Sequence, residues 1–383
     1  MPQPTHPSSA PLRLPYLDSV RGLAALVVVV FHFLTWQWSH TLKVQLATLV
    51  FNGSSAVSVF FVLSGLVLSL KYFHPDEKLP IDGPHYLAFV ANRMARIYLP
   101  YLAAFIGFYY VLFHWGEAPG ALLRQLVSSK TPWVAEGLLI RGDHRVYGPG
   151  WSLEVEMVGS LLLPFLVLLL RHSRPLFFML LAVQVVLGTP LMPGLLLHFL
   201  LGMLLAYYFP RIAGYDLSGS RFYRLRYLGY LGAFACLSSH QIARHLPLGP
   251  EAAYWLGLLR LDVFFFAAIG AAGLLAYVIS SPRLQRGLEA RPLLFLGRIS
   301  YSVYLVHWLF VSWGIQLLNA YLLRDASQQR LAIGAALAAV VLATLLVATA
   351  FHALVERPCI RLGRRLAARF AAGRTALRHS AEA

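Results

Sequence analysis

Charged residues and cysteines are scarce in this sequence. Asp, Glu, Lys and Arg together make up 13% of the 383 residues, about half of their share in an average soluble domain. The two cysteines, Cys236 and Cys359, are too few for a disulfide framework. No His or Cys pair has the spacing of a recognisable metal motif. We therefore expect neither a soluble globular enzyme, nor a disulfide-stabilised scaffold, nor a metal site.

Long apolar segments dominate the sequence instead. Hydrophobic residues make up 58% of the chain, and the mean hydropathy is +0.64. Apolar runs of about 20 residues are long enough to cross a bilayer as helices. The sequence thus predicts an all-α, polytopic integral membrane protein with about ten transmembrane helices. The predicted spans are residues 20–38, 47–70, 97–115, 152–170, 176–189, 192–209, 227–243, 252–279, 299–318 and 331–355.

The distribution of positive charge predicts the orientation in the membrane. If these spans are threaded from a cytoplasmic N-terminus, 23 of the 32 Lys and Arg residues fall on the cytoplasmic side, as the positive-inside rule requires. Both termini are then cytoplasmic. The net charge of +16 reflects this topology and contact with anionic membrane lipids, and we expect no nucleic-acid partner. We expect one membrane domain over residues 14–365 and a basic cytoplasmic tail over residues 366–383.

The first predicted span carries an arginine at its edge and a histidine in its interior. Arg21 and His32 are 11 residues apart, so they share a helix face and are separated by about 16 Å along the axis. Arginine suits phosphate or carboxylate binding, and histidine can accept and return a proton. These residues could serve a reaction across the membrane. They could equally be a cytoplasmic anchor and a histidine bonded within the bundle, and the spacing alone does not choose.

Two further segments carry charges beside predicted spans. Arg93 and Arg96, in "FVANRMARIYLP", are three residues apart and could bind a pyrophosphate together, or simply anchor the helix on the cytoplasmic side. In "YGPGWSLEVEM", Glu154 and Glu156 lie at the predicted outer end of a span. They could orient a histidine or bind sugar hydroxyls. Alternatively, Ser152 could cap a helix whose dipole favours nearby acids.

A polar stripe crosses the ninth predicted span, "LGRISYSVYLVHWLF". Ser300 and Tyr301 lie near its cytoplasmic start, and Tyr304 and His307 lie deeper. An interfacial aromatic belt explains tyrosines at a membrane surface. It does not explain a histidine two turns further in, which favours a functional role.

The order of these motifs resembles that of membrane acyltransferase family 3. The first helix, "LDSVRGLAALVVVVFH", is similar to the family's signature of an Arg and a His separated by ten residues. The motifs "FFVLSG", "RMARIYLP", "WSLEVE", "ISYSVYLVHW" and "VERP" then follow in the family's order. The resemblance covers residues 14 to about 365. It implies the form of the family without a fused C-terminal hydrolase-like domain.

The resemblance implies an acyl-CoA-dependent O-acyltransferase of the bacterial cytoplasmic (inner) membrane. Such relatives move acyl groups from cytosolic acyl-CoA to hydroxyls of extracytoplasmic glycans, and acetyl-CoA is the expected cosubstrate. His32 would then be the general base or a transiently acylated nucleophile. Arg21 would hold the anionic end of the donor, and Glu156 would orient His32 or the sugar.

The remaining candidates would bind the donor or line its passage. Arg93 and Arg96 would contact the phosphates of coenzyme A, and Tyr301, Tyr304 and His307, with Ser300 at the start of their span, would line the passage. A proton-coupled transporter or flippase of a glycan or lipid-linked sugar is the alternative, because such carriers also place Arg and His inside the membrane. No inverted repeat supports it. The acceptor, the acyl chain length and the oligomeric state are left open.

Overall fold

Every element formed by the described residues is helical. The structure is a computed structural model that describes residues 14–38, 42–73, 81–113, 136–139, 147–187, 195–215, 225–239, 241–242, 249, 251, 263–322 and 329–381. The helices of more than two residues are α1 (Pro15–Trp38), α2 (Leu42–Val50), α3 (Gly53–Phe73), α4 (Gly83–Arg93), α5 (Leu99–Phe113), α6 (Gly150–His172), α7 (Arg174–Leu187), α8 (Leu196–Tyr207), α9 (Phe209–Ala213), α10 (Leu225–Leu237), α11 (Val263–Ser280), α12 (Pro282–Leu288), α13 (Arg291–Leu317), α14 (Gln329–Phe351) and α15 (Arg357–Ala381). The predicted all-α class is confirmed.

Within the described residues, six helical segments are long and apolar enough to cross a membrane. A seventh candidate is the pair α11 and α12, which bends by 96° between its two helices. The predicted spans at 176–189, 192–209 and 227–243 correspond to shorter apolar helices. A multi-pass membrane protein is therefore supported, whereas the total of ten spans and the cytoplasmic position of the termini stay predictions.

The third span begins earlier than the sequence pattern suggested. It was predicted to start at residue 97, but α4 starts at Gly83 and continues through a π-helical turn, Met94–Tyr98, into α5. The start is fixed by Asp82, whose carboxylate accepts a hydrogen bond from the His85 amide at 3.1 Å. Arg93 and Arg96 consequently lie inside a long helix rather than in front of it.

The last span also continues beyond its predicted end at residue 355. A second π-helical turn, His352–Glu356, joins α14 to α15 without a break, and α15 packs against α4. A Cβ atom added to Gly363 would lie 2.9 Å from Asn92 Oδ1 and 3.0 Å from the Ala95 Cβ. The C-terminal helix is therefore held closely against the helix that carries Arg93.

Glycines allow two further pairs of helices to approach closely. A Cβ on Gly22 of α1 would lie 2.6 Å from the Gly297 nitrogen of α13. A Cβ on Gly202 of α8 would overlap the Val62 carbonyl oxygen of α3. Small residues commonly mediate such crossings in membrane proteins. The first crossing brings together the two helices that carry the candidate site residues His32 and His307.

Candidate active site

A large polar cavity opens between α1, α3, α4, α6, α13 and α15. Its volume is about 1110 Å³. Seven of the nine candidate residues from the sequence line it: Arg21, Arg93, Arg96, Glu156, Ser300, Tyr301 and Tyr304. His32 and His307 are not part of the lining, and they lie behind Tyr304. The tertiary structure thus brings candidate residues from four separate stretches of the chain together around one cavity.

The two histidines form a stacked pair. The ring centroids of His32 and His307 are 5.5 Å apart with an interplanar angle of 23°. The Trp308 ring packs edge-on against His32 with centroids 5.2 Å apart. His307 is fully buried, and its Nδ1 lies 2.6 Å from the Tyr304 carbonyl oxygen. This bond assigns the hydrogen to Nδ1 and leaves Nε2 as a proton acceptor.

Tyr304 connects the histidine pair to the cavity. Its ring lies 5.6 Å from that of His307, and its hydroxyl is 2.5 Å from Ser152 Oγ. Ser152 also donates to the Pro149 carbonyl oxygen at 3.0 Å. Ser152 therefore lies inside α6 and does not cap the helix, so the predicted capping role of Ser152 is wrong.

A buried tyrosine supports the same part of α13 from the other side. Burial raises the pKa of the Tyr147 phenol well above its ordinary value, because the charged form loses its hydration. The hydroxyl therefore stays protonated and donates to the Leu305 carbonyl oxygen at 2.5 Å. This hydrogen bond holds the backbone immediately after Tyr304.

The cavity lining also contains two Arg–carboxylate pairs. Arg21 Nη1 donates to Asp18 Oδ1 at 3.1 Å. Arg93 donates to Glu156 Oε1, and Ser64 donates to the same carboxylate oxygen at 2.9 Å. These contacts place Glu156 beside Arg93 rather than beside His32.

This position of Glu156 differs from the expectation that it lies at the outer end of a span, far from Arg93. The early start of α4 explains the difference, because Arg93 lies well along a continuous helix and can reach α6.

The remaining candidates on α13, Tyr301 and Ser300, form hydrogen bonds to backbone carbonyl oxygens. Tyr301 donates to the Ile97 carbonyl oxygen at 2.6 Å, and Ser300 donates to the Gly297 carbonyl oxygen at 2.8 Å.

Sequence reasoning missed a buried polar cluster at the end of α14. Glu356 accepts hydrogen bonds from Ser302 at 2.6 Å and from His352 Nδ1 at 2.8 Å. Glu356 is only 5% exposed, so the cluster lies inside the protein. The signal in the sequence was the i, i+4 spacing of His352 and Glu356, which puts both on one face of a helix.

Four more arginines line the cavity and were also missed. They are Arg298, Arg357, Arg361 and Arg364. Three of them, Arg357, Arg361 and Arg364, belong to α15. Their i, i+4, i+7 spacing was visible in the sequence, but only the packing of α15 against α4 shows what that face meets.

In the described part of the chain, no group of three or more His, Cys, Asp or Glu side chains is placed to hold a metal ion. The lining instead combines seven arginines with three carboxylates. An excess of guanidinium groups suits an anionic ligand, and phosphate in particular.

Fold and cavity together define a multi-pass membrane protein with an arginine-rich cavity next to paired histidines. The model of acyltransferase family 3, described as an acyltransferase domain, matches residues 14–352, and the chain belongs to this family. It is similar to the acyltransferase MdmB of Streptomyces mycarofaciens, with 30% identity over 399 residues that cover 92% of this chain and 94% of the relative. No solved structure matches the chain significantly. The protein is therefore a membrane acyltransferase.

Proposed function

We propose that the protein moves an acetyl group from cytosolic acetyl-CoA across the bacterial cytoplasmic membrane to a hydroxyl of an extracytoplasmic glycan, such as O-antigen or exopolysaccharide. One observation carries the proposal. Tyr304 lines a cavity that contains an excess of arginines, and its ring lies beside that of His307, which is stacked on His32. The arginines suit the phosphates of coenzyme A, and the histidines suit proton transfer from an acceptor hydroxyl.

In the proposed reaction, His32 removes the proton of the acceptor hydroxyl. The hydroxyl oxygen attacks the thioester carbonyl carbon, the C–S bond breaks, and the proton passes from His32 to the departing thiolate. Arg21, Arg93 and Arg96 hold the phosphate-bearing part of the donor. Transient acylation of His32, followed by transfer to the hydroxyl, is the second mechanism consistent with this geometry.

The test compares the parent protein with His32→Ala in a bacterial host that produces the glycan. The O-acetyl content of the surface polysaccharide is measured by proton NMR at matched membrane levels. We expect acetylation with the parent and a loss of about 100-fold or more with the variant. His172→Ala is the matched control, since His172 is exposed on α6 and does not line the cavity; it should acetylate like the parent.

Equal acetylation by His32→Ala and the parent would contradict the role of His32. Purified protein should also turn over acetyl-CoA without any membrane gradient, as a gradient-driven carrier would not.

A further inference from the structure

We infer that the C-terminal helix α15 completes the donor site, and that Arg361 and Arg364, with Arg357, bind the phosphates of the donor's nucleotide. The inference rests on the proposed function in taking coenzyme A as the donor. The helix lies beyond residues 14–352, which the family model matches. The donor site would then extend past the matched domain.

The first observation is the position of the α15 arginines. Arg357, Arg361 and Arg364 line the cavity, and their i, i+4, i+7 spacing places them on one face of the helix. Arg365 and Arg369 lie on the same helix and do not line the cavity. The helix thus separates a cavity-facing set of arginines from an outward-facing set.

The second observation is that α15 is held in place. Gly363 lies so close to Asn92 that no side chain fits between the two helices without a shift. At its start, α15 continues directly from the π-helical turn that is anchored by Glu356 and its bonds to Ser302 and His352. The arginine side chains therefore project from a fixed backbone.

The third observation is the excess of positive charge in the cavity lining. Arg21 and Arg93 each have a carboxylate partner. No ion pair between described residues is formed by the other five arginines of the lining, which are Arg96, Arg298, Arg357, Arg361 and Arg364. Arg96 is repelled by the charges of Arg21 and Arg364 and attracted by those of Glu356 and Asp18, but the seven arginines of the lining still outnumber its three carboxylates.

Like charges gathered in one cavity favour a ligand that carries several negative charges. The diphosphate and 3′-phosphate of coenzyme A provide these charges in one molecule. A phospholipid headgroup with one phosphodiester provides fewer. The nucleotide is therefore the ligand that this set of arginines fits.

The experiment measures binding of adenosine 3′,5′-bisphosphate by calorimetry to the full chain in phosphatidylcholine nanodiscs. Two double variants remove the same number of charges from α15: R361Q/R364Q inside the cavity and R365Q/R369Q outside it. We expect R361Q/R364Q to raise the Kd by about 100-fold, since each charged hydrogen bond contributes roughly tenfold. The R365Q/R369Q control should change the Kd by less than about twofold.

Hydrogen exchange of the unaltered protein gives a second readout that needs no variant. Amides of α15 should exchange more slowly when the bisphosphate is bound, because the ligand holds this helix against the cavity. Unchanged exchange, or an equal effect of both double variants on the Kd, would overturn the inference.

Anionic lipid is the competing ligand. It would be revealed if R361Q/R364Q lost co-purifying phosphatidylglycerol while its affinity for the bisphosphate stayed unchanged, and that result would also overturn the inference.

The binding experiment does not depend on acyl transfer, so it can refute one of the two proposals without refuting the other. A protein that binds the bisphosphate through these arginines but transfers no acetyl group refutes only the proposed function. Normal transfer with unchanged affinity in R361Q/R364Q refutes only the role of α15.

Discussion

At the scale of single residues, Arg93 and Glu156 form the most buried Arg–carboxylate pair that the described residues contain. Their side chains are 11% and 13% exposed, compared with 22% and 40% for Arg21 and Asp18. A buried pair contributes little net stability as a pair, but removing one partner leaves an uncompensated charge that is costly to bury. Glu156 therefore maintains the charge balance that keeps Arg93 in the cavity wall.

We predict that Glu156→Gln lowers the free energy of unfolding by about 3 kcal/mol, because Arg93 stays buried without its counter-charge. The double variant Arg93→Gln/Glu156→Gln should be less destabilised than Glu156→Gln alone. Thermal unfolding in detergent measures both. Glu289→Gln is the control, since Glu289 is exposed and should leave the melting temperature unchanged. A parent-like melting temperature for Glu156→Gln would show that the pair is not needed for stability.

At the scale of helices, the crossing of α1 and α13 decides where the histidines lie. His32 is on α1 and His307 on α13, and the two backbones approach each other at Gly22 and Gly297. The stacking of the two rings depends on this separation. A change that touches no polar group should therefore disturb the proposed chemistry.

We predict that Gly22→Val reduces acetyl transfer by about 100-fold, the loss expected when a reacting group is displaced by about 1 Å. Its Cβ would lie 2.6 Å from the Gly297 nitrogen, and overpacking should also cost about 1–3 kcal/mol of stability. The control is Gly107→Val, because a Cβ at Gly107 meets no atom within 4 Å. Transfer assays and thermal unfolding on both variants test this. Parent-like transfer by Gly22→Val would mean that the close crossing does not position His32.

At the scale of the whole molecule, the orientation in the membrane determines which substrate reaches which end of the cavity. The α15 arginines face the donor only if the C-terminus is cytoplasmic. The asymmetric distribution of Lys and Arg predicts this orientation for both termini. Two cytoplasmic termini also require an even number of spans.

We predict that green fluorescent protein fluoresces when it is fused to either terminus, because it folds in the cytoplasm but not after export. Alkaline phosphatase, which is active only outside the cytoplasm, should be inactive at both positions and serves as the reciprocal control. Fluorescence at one terminus only would demonstrate an odd number of spans and contradict the predicted topology.

The sequence alone was sufficient to predict the class of the molecule and several residues that line the cavity. The apolar composition and the length of the apolar segments predict membrane helices, because a segment that spans the bilayer must satisfy its backbone hydrogen bonds internally. The spacing of Arg21 and His32 depends only on helix geometry within one segment. The polar stripe from Ser300 to His307 is a local pattern of the same kind, and the order of the motifs indicates the family.

Only the tertiary structure decided how these segments meet. The contact between Arg93 and Glu156 depends on where α4 begins and how it packs on α6, which no local pattern encodes. The buried bonds of Glu356 and the cavity-facing arginines of α15 likewise follow from contacts between distant segments of the chain. Helix periodicity determines which residues share a face, whereas packing between helices determines what that face meets.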